Sequence, residues 1–262
     1  EVELSEELIK IHKWVGMCKF CRTGGEANAI AIRIARSASK KTNVAICGYH
    51  GWHDWYLAGN IKKDNLTKHL LPNLKSIGVP NELKNTVFTF DYNSYSQLEK
   101  LVENKNIGVI KMEVARNNLP NLDLLKKVRK LATKKKIILI FDECTTGFRR
   151  NLGGIHLTTG VNPDILLLGK ALGNGYAINA ILGKKEIMRK AETSFISSTF
   201  WTERIGYVAA LSTIKEMKKI KPWKRICQTG KFISSEWIRI AKKNDLSLST
   251  SGIEAIVSFS FK

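Results

Sequence analysis

This 262-residue chain has no long apolar run, no evident disulfide framework and few acidic residues for its basic ones. No apolar stretch approaches the roughly 20 residues that a membrane-crossing helix needs. The first ten residues, EVELSEELIK, form an acidic amphipathic pattern in place of a basic and greasy secretory signal. Both absences predict a cytoplasmic protein with no membrane partner. Five cysteines (Cys18, Cys21, Cys47, Cys144, Cys227) are an odd number spread through a long chain. That is not the disulfide scaffold of a small secreted domain, and it predicts reduced thiols. Cys18 and Cys21 form one C-x-x-C pair, but a structural zinc needs four ligands and no second pair follows, so no metal is expected. A P-loop is also missing, since G-x-x-x-x-G-K-[ST] occurs nowhere. There is no internal repeat and no low-complexity tract.

The shortage of acid leaves 43 Lys and Arg against 23 Asp and Glu, a formal charge of +20. Lysines are spread over nearly every predicted helix, as in LLKKVRKLATKKK and IKEMKKIKPWKR, with no Arg-rich arm and no aromatic-basic alternation. This distribution reads as solvated helix faces and not as a nucleic-acid surface. With 44% hydrophobic and 25% charged residues, the composition is globular and large enough for one big domain plus part of another.

Strand and helix signals alternate. GEANAIAIRIARSASK, residues 25–40, places Ala27, Ile30, Ala31, Ile34, Ala35 and Ala38 on one helical face. NVAIC (43–47) and TVFTF (86–90) read as short strands flanking an aromatic-rich loop, YHGWHDWYLAGN. NIGVIKMEV (106–114), a helix over 122–135 and IILIF (137–141) make a strand-helix-strand unit whose apolar runs predict a parallel sheet buried on both faces. DILLLG and INAILG add two strands, and GYVAALSTIKEM reads as a helix. The pattern predicts an α/β large domain over 1–219, ending where charge and Pro222 break the periodicity. A second domain over 220–262 would hold a helix to about Lys243 and one strand candidate, GIEAIVSFSF.

Ligands of open α/β sheets bind outside the carboxyl ends of the strands, and four features lie there. Gly24 and Gly25 open the strongest helix, with Thr23 before them; this is either a cap or an anion site built from free N–H groups and the positive helix end. Asp142 ends the IILIF strand, able to face a ligand or to cap a turn, while Glu143 points the other way. Tyr49 and His50 follow NVAIC directly and offer a flat ring as cover for a planar ligand; His50 and His53 lack the helix that a metal pair would use. Lys170 stands at the end of ILLLG, where partial desolvation would lower its pKa and free the amine to attack a carbonyl. Phosphate cradle, aromatic cover, carboxylate and lysine are the parts that hold pyridoxal phosphate.

With TGGEANAIAIRIAR, GYHG, IFDECTTGFR, GGIHLTTGVNPDILLLGKALGNGYAINAILG and SSTFWTERIGYVAAL, the chain resembles a class III (fold type I) pyridoxal-phosphate-dependent aminotransferase over residues 21–211, on the glutamate-1-semialdehyde aminomutase-like side. Asp142 and Lys170 stand twenty-eight positions apart, in the family's order. The resemblance implies a three-layer α/β/α fold with a mostly parallel sheet and an α+β small domain. It implies Lys170 as the lysine of the Schiff base and Asp142 as partner of the pyridinium nitrogen. Tyr49 would stack on the ring, with His50 beside it and Cys144 on the other face. Thr23, Gly24 and Gly25 match the family's phosphate loop with its last hydroxyl replaced. Ser198 and Thr199 match a Gly-Thr that reaches the neighbouring subunit's cofactor, which implies a homodimer with shared sites, although the following FWTERIG departs from the family's Ser-Gly-Asn-Pro. MEVARNN aligns with a Glu-Pro-Val segment, with Val114 in place of proline, and leaves Glu113 and Asn118 as substrate-side candidates. Family members are longer at both ends, so the resemblance implies a fragment or a truncated relative. The activity implied is amino-group transfer between small-molecule donors and acceptors: an amino acid, amino sugar or semialdehyde. The alternatives are the intramolecular mutase and, in another class, a non-catalytic binding module.

Overall fold

A run such as NIGVIKMEV can hide all its side chains only if both faces of the sheet are covered, and that is the arrangement found. The computed structural model describes residues 1–61, 65–66, 75–115 and 121–261. The main sheet contains β1 (Met17–Cys21), β2 (Asn43–Cys47), β3 (Val87–Thr89), β4 (Ile107–Glu113), β5 (Ile138–Glu143), β6 (Ile165–Leu168) and β7 (Asn179–Gly183), in the order β1-β7-β6-β5-β4-β2-β3. β7 runs antiparallel to both its neighbours, β6 and β1, and the other pairs are parallel. Every residue of β4 is buried.

The helices are α1 (Val2–Ile11), α2 (Gly24–Ser39), α3 (Asp54–Leu57), α4 (Tyr95–Asn104), α5 (Leu122–Lys134), α6 (His156–Thr159), α7 (Lys185–Met188), α8 (Arg204–Ile220) and α9 (Trp223–Lys243). Successive strand residues point to opposite faces, which divides the core in two. On one face Val109, Ile140, Ile165 and Leu167 pack with Ala27, Ile30, Ala31, Ile34 and Ala35 of α2, the stripe its periodicity predicts. On the other, Ile110, Leu139, Phe141 and Leu166 pack with Leu125 and Val128 of α5 and Ala210 and Ile214 of α8. Each fully buried Leu or Ile here contributes roughly 1.5–3 kcal/mol relative to exposure. The result is the three-layer α/β/α architecture expected from the strand signals.

Two readings change. MCKFC, read only for its cysteines, is the edge strand β1, held by antiparallel pairing to β7. GIEAIVSFSF is not one strand: Glu254–Ile256 is a 3₁₀ turn, and only Ser258–Phe261 is extended, as β9 paired antiparallel with β8 (Leu248–Ser251). The fully buried Ile253 pins the turn into the main core, which interrupts the strand at that point. No helix among the described residues is long and apolar enough to cross a membrane.

Candidate active site

Because β2, β4, β5 and β6 are parallel, Tyr49, Glu113, Asp142 and Lys170 all arise at one edge of the sheet. The antiparallel β7 begins at that edge with Asn179, and β1 ends there opposite it, delivering Thr23 and the start of α2.

Asp142 is 4% exposed; among the described residues it accepts two hydrogen bonds and lies beside one buried cation. Oδ2 accepts from His50 Nδ1 at 2.9 Å and lies 3.4 Å from Lys111 Nζ; Oδ1 accepts from the Cys144 amide at 3.1 Å. Burial by itself would raise its pKa, but the Lys111 charge, the His50 hydrogen bond and the Cys144 amide outweigh it and hold the carboxyl far below the ordinary carboxylate range. A carboxylate offers about four acceptor positions, so Oδ1 keeps room for one more donor. Lys111 is the residue that sequence reading missed. A lysine in an apolar strand buried on both faces is itself the signal, since such a charge needs a buried partner.

Glu143 points to the opposite face, as the alternation predicts, and is saturated. Oε1 accepts from the His156 amide at 3.0 Å and His156 Nδ1 at 2.7 Å, and Oε2 from the Ile155 amide at 2.6 Å and Thr146 Oγ1 at 3.1 Å. Trp14 Nε1 donates to His156 Nε2 at 3.3 Å, and the His12 ring stacks on His156. This network clamps residues 154–156 behind the site.

After β2 the chain turns sharply at Gly48, whose φ of +108° favours glycine, and any Cβ there would lie 2.6 Å from Glu113 Oε2. The Tyr49 amide donates to that oxygen at 3.0 Å. Glu113 is therefore buried beneath the Tyr49 loop. Tyr49 is exposed, and His50 is buried against Trp55 and Tyr56. Asn118 lies outside the described residues.

The start of α2 is a capping box: the Glu26 amide donates to Thr23 Oγ1 at 3.2 Å, and the Thr23 amide to Glu26 Oε2 at 2.8 Å. The Thr23 hydroxyl is thus engaged as a cap, while the Gly24 and Gly25 amides, in the first turn, have no intrahelical acceptor. Gly25 has no room for a side chain, because His53 Cε1 lies 2.4 Å from where its Cβ would stand. His53 Nδ1 is buried there with no hydrogen-bond partner among the described residues. Asn179, also missed in the sequence, ties this corner together: Nδ2 donates to the Arg22 carbonyl at 2.8 Å, and Oδ1 accepts from Cys144 Sγ at 3.7 Å. Cys144 is buried, and burial beside Asp142 pushes its thiol well above the ordinary range.

Lys170 follows β6 on a 3₁₀ turn with φ +41°, a strained value for a residue with a Cβ. Its side chain is exposed, not partly desolvated as expected, because the turn lifts it off the buried strand. Nζ donates to Thr145 Oγ1 at 2.8 Å, three residues after Asp142. Ser198 is half-buried and Thr199 exposed. Their segment is docked on the α2 corner by Arg22 Nε to the Phe200 carbonyl at 2.7 Å and Trp201 Nε1 to Glu26 Oε1 at 3.2 Å.

The sequence profile described as Aminotransferase class-III matches residues 1–261. A 3-aminobutyryl-CoA aminotransferase from Cloacimonas acidaminovorans (strain Evry) is 33% identical over 99% of this chain and 62% of its own length. A glutamate-1-semialdehyde 2,1-aminomutase from Nitrosopumilus maritimus (strain SCM1) is 37% identical over 84% of this chain and 54% of its own. The chain thus spans 62% and 54% of the length of these relatives. Among solved structures, the FumI protein of Sphingopyxis sp. MTA144, in its PLP internal aldimine form, superposes with a TM-score of 0.86 at 21% identity, covering 100% of this chain and 62% of that one. An omega-transaminase from Sphaerobacter thermophilus gives 0.81 at 21% identity, over 97% and 61%. With a match over nearly its whole length, the chain belongs to the class III aminotransferases.

Proposed function

We propose that this chain carries the cofactor-binding core of a pyridoxal-phosphate-dependent enzyme that moves an amino group between small molecules. The observation that carries the reading is the pairing of Asp142, a buried carboxylate with one acceptor position left, with Lys170, an exposed amine on a strained turn of the adjacent strand. The residues fit the group: Asp142 would hold the ring nitrogen, Tyr49 would cover one face and Cys144 would lie toward the other. The amides of Gly24 and Gly25 would hold the phosphate, helped by the α2 dipole and the unpartnered His53 Nδ1. Thr23 reaches a phosphate only by loosening its cap. Bound there, pyridoxal phosphate supplies a ring that draws electrons from the substrate's α-carbon.

The residues of the chain do the rest. Lys170 Nζ is the amine that would hold the cofactor through its carbonyl group and, once free, would hold and return a proton. Thr145 Oγ1, accepting from that Nζ, fixes where the amine waits. Asp142, kept ionised by Lys111 and His50, would favour the protonated form of the ring nitrogen. His50 orients Asp142. Glu113 sets the Tyr49 turn from below.

The domain reading of 1–219 and 220–262 is supported by Lys221 at φ +47° and Pro222 between α8 and α9, and by a β8–β9 sheet separate from the main one. A homodimer with shared sites is supported by the exposed Thr199 and by Phe195, Phe200, Ile205 and Val208, all apolar and exposed on the same stretch. A cytoplasmic setting is supported by the free thiols, with Cys18 and Cys47 pushed up to about 12 by burial.

The intramolecular mutase remains a second reading because curated relatives of both kinds match. Product formation tests the proposal: an amine donor plus keto acid in one arm, glutamate semialdehyde alone in the other. Activity in either arm that disappears in Lys170→Ala supports the reading. Turnover that survives Lys170→Ala, or cofactor-loaded protein inert in both arms, contradicts it.

A further inference from the structure

Lys111 has no exposed surface and stands in the middle of β4. Its register partners are Ile46 on β2 and Ile140 on β5, so neither adjacent strand offers it a charge in register. Nζ reaches along the sheet to Asp142 Oδ2, the oxygen that His50 also holds. At 3.4 Å this is a contact between charges without the geometry of a hydrogen bond. The ionisable groups facing it are Asp142 on β5, Cys144 just after it and Glu113 on β4, with His50 on the far side of Asp142.

A bare carboxylate in this pocket would carry the full cost of desolvation, and a nearby cation offsets it. A protonated ring nitrogen would offset it equally well, but the two cations repel across the same carboxylate. Burial already pulls Lys111 below the ordinary lysine range while Asp142 pulls it back, so its proton is held by Asp142 more than by its surroundings.

We propose that Lys111 is a built-in counter-cation for Asp142: it occupies, electrostatically, the place of the cofactor's protonated ring nitrogen, and the lysine and the ring compete for one carboxylate. The proposal rests on the reading of Asp142 given above. It makes Lys111 a positioning and tuning residue that stabilises the protein before loading and weakens its preference for a cationic ring.

The test compares pyridoxal 5′-phosphate with its analogue carrying carbon in place of the ring nitrogen, binding to wild type, Lys111→Met and Lys111→Arg. Met matches the apolar strand neighbours and removes the charge; Arg keeps it. The preference for pyridoxal 5′-phosphate over the analogue is expected to rise about tenfold in Lys111→Met, the equivalent of one pKa unit, and to return toward the wild-type value in Lys111→Arg. Lys111→Met is also expected to melt lower than wild type without cofactor and to gain more on binding it. An unchanged preference, in proteins that all form the borohydride-reducible adduct at Lys170, overturns the role of Lys111 alone. No adduct in any of them overturns the Asp142–Lys170 reading and this proposal with it. Should Lys111→Met fail to fold, the wild type decides through the nitrogen-15 shift of ring-labelled cofactor. A ring nitrogen that loses its proton as pH rises within the folded range supports the competition, and one that stays protonated up to alkaline unfolding overturns it.

Discussion

Asp142 and Glu143 are consecutive, both are buried carboxylates, and both are held by a histidine Nδ1, yet they face opposite sides of one sheet. On the Glu143 side all four acceptor positions are filled, two of them by backbone amides that cannot turn away. On the Asp142 side, among the described residues, Oδ1 accepts one hydrogen bond and has room for another, and the two groups at Oδ2, the His50 ring and the Lys111 amine, are side chains able to move or shed a proton. On the proposed reading, the difference separates a structural clamp from a binding site: saturation fixes a loop, whereas an acceptor left over at a strand end leaves room for a ligand.

The sharpest way to break this comparison is on the ligand side. Lys170→Ala is expected to remove all covalent cofactor attachment and to lower turnover by at least about a thousandfold, with an unchanged melting transition; single-turnover kinetics and far-UV circular dichroism check both. Asp142→Asn is expected to lower turnover roughly a hundred- to a thousandfold, with a modest stability loss because Lys111 can become neutral. Glu143→Gln reverses the pattern. Two of its four donors are backbone amides left poorly matched, so it is expected to lose on the order of 3–5 kcal/mol in denaturant unfolding. In what remains folded, cofactor affinity would change little. Equal stability losses at the two positions would dissolve the distinction.

A smaller effect lies in pH. Burial, with the neighbouring His156 adding to it, lowers His12 from its ordinary value to about 4. The unfolded chain binds this proton first, so the stability from keeping His12 neutral is complete above about pH 6.5 and declines as pH falls toward about 4, by at most about 1.4 kcal/mol per unit. His12→Phe is expected to flatten the unfolding curve over that window while leaving cofactor binding untouched. The smallest effect expected is from Thr23→Ala, about 1 kcal/mol through the lost cap of α2, with phosphate affinity little changed because the hydroxyl is engaged with Glu26.

The strands and α2 were legible because a buried strand must be apolar throughout and a packed helix must repeat at 3.6 residues; NIGVIKMEV and GEANAIAIRIAR obey those rules. That Asp142, Tyr49 and Lys170 lie at one edge of the sheet was legible because the ends of buried parallel strands can be read from the apolar runs. What escaped depends on distance in space. Nothing around Lys111 in sequence announces Asp142, thirty-one positions on, and Asn179 meets Arg22 and Cys144 only once β7 folds back between β1 and β6. Nor does ILLLGK reveal that a left-handed residue lifts the lysine into solvent. Nor does MEVARNN show that the turn at Gly48 lies over Glu113.

The most direct measurement is to add pyridoxal 5′-phosphate to the protein, reduce with borohydride and map the labelled peptide. A visible absorbance band lost on reduction, with the label on Lys170 and absent from Lys170→Ala, is the result this account predicts. A label spread over surface lysines, or no band at all, would contradict it.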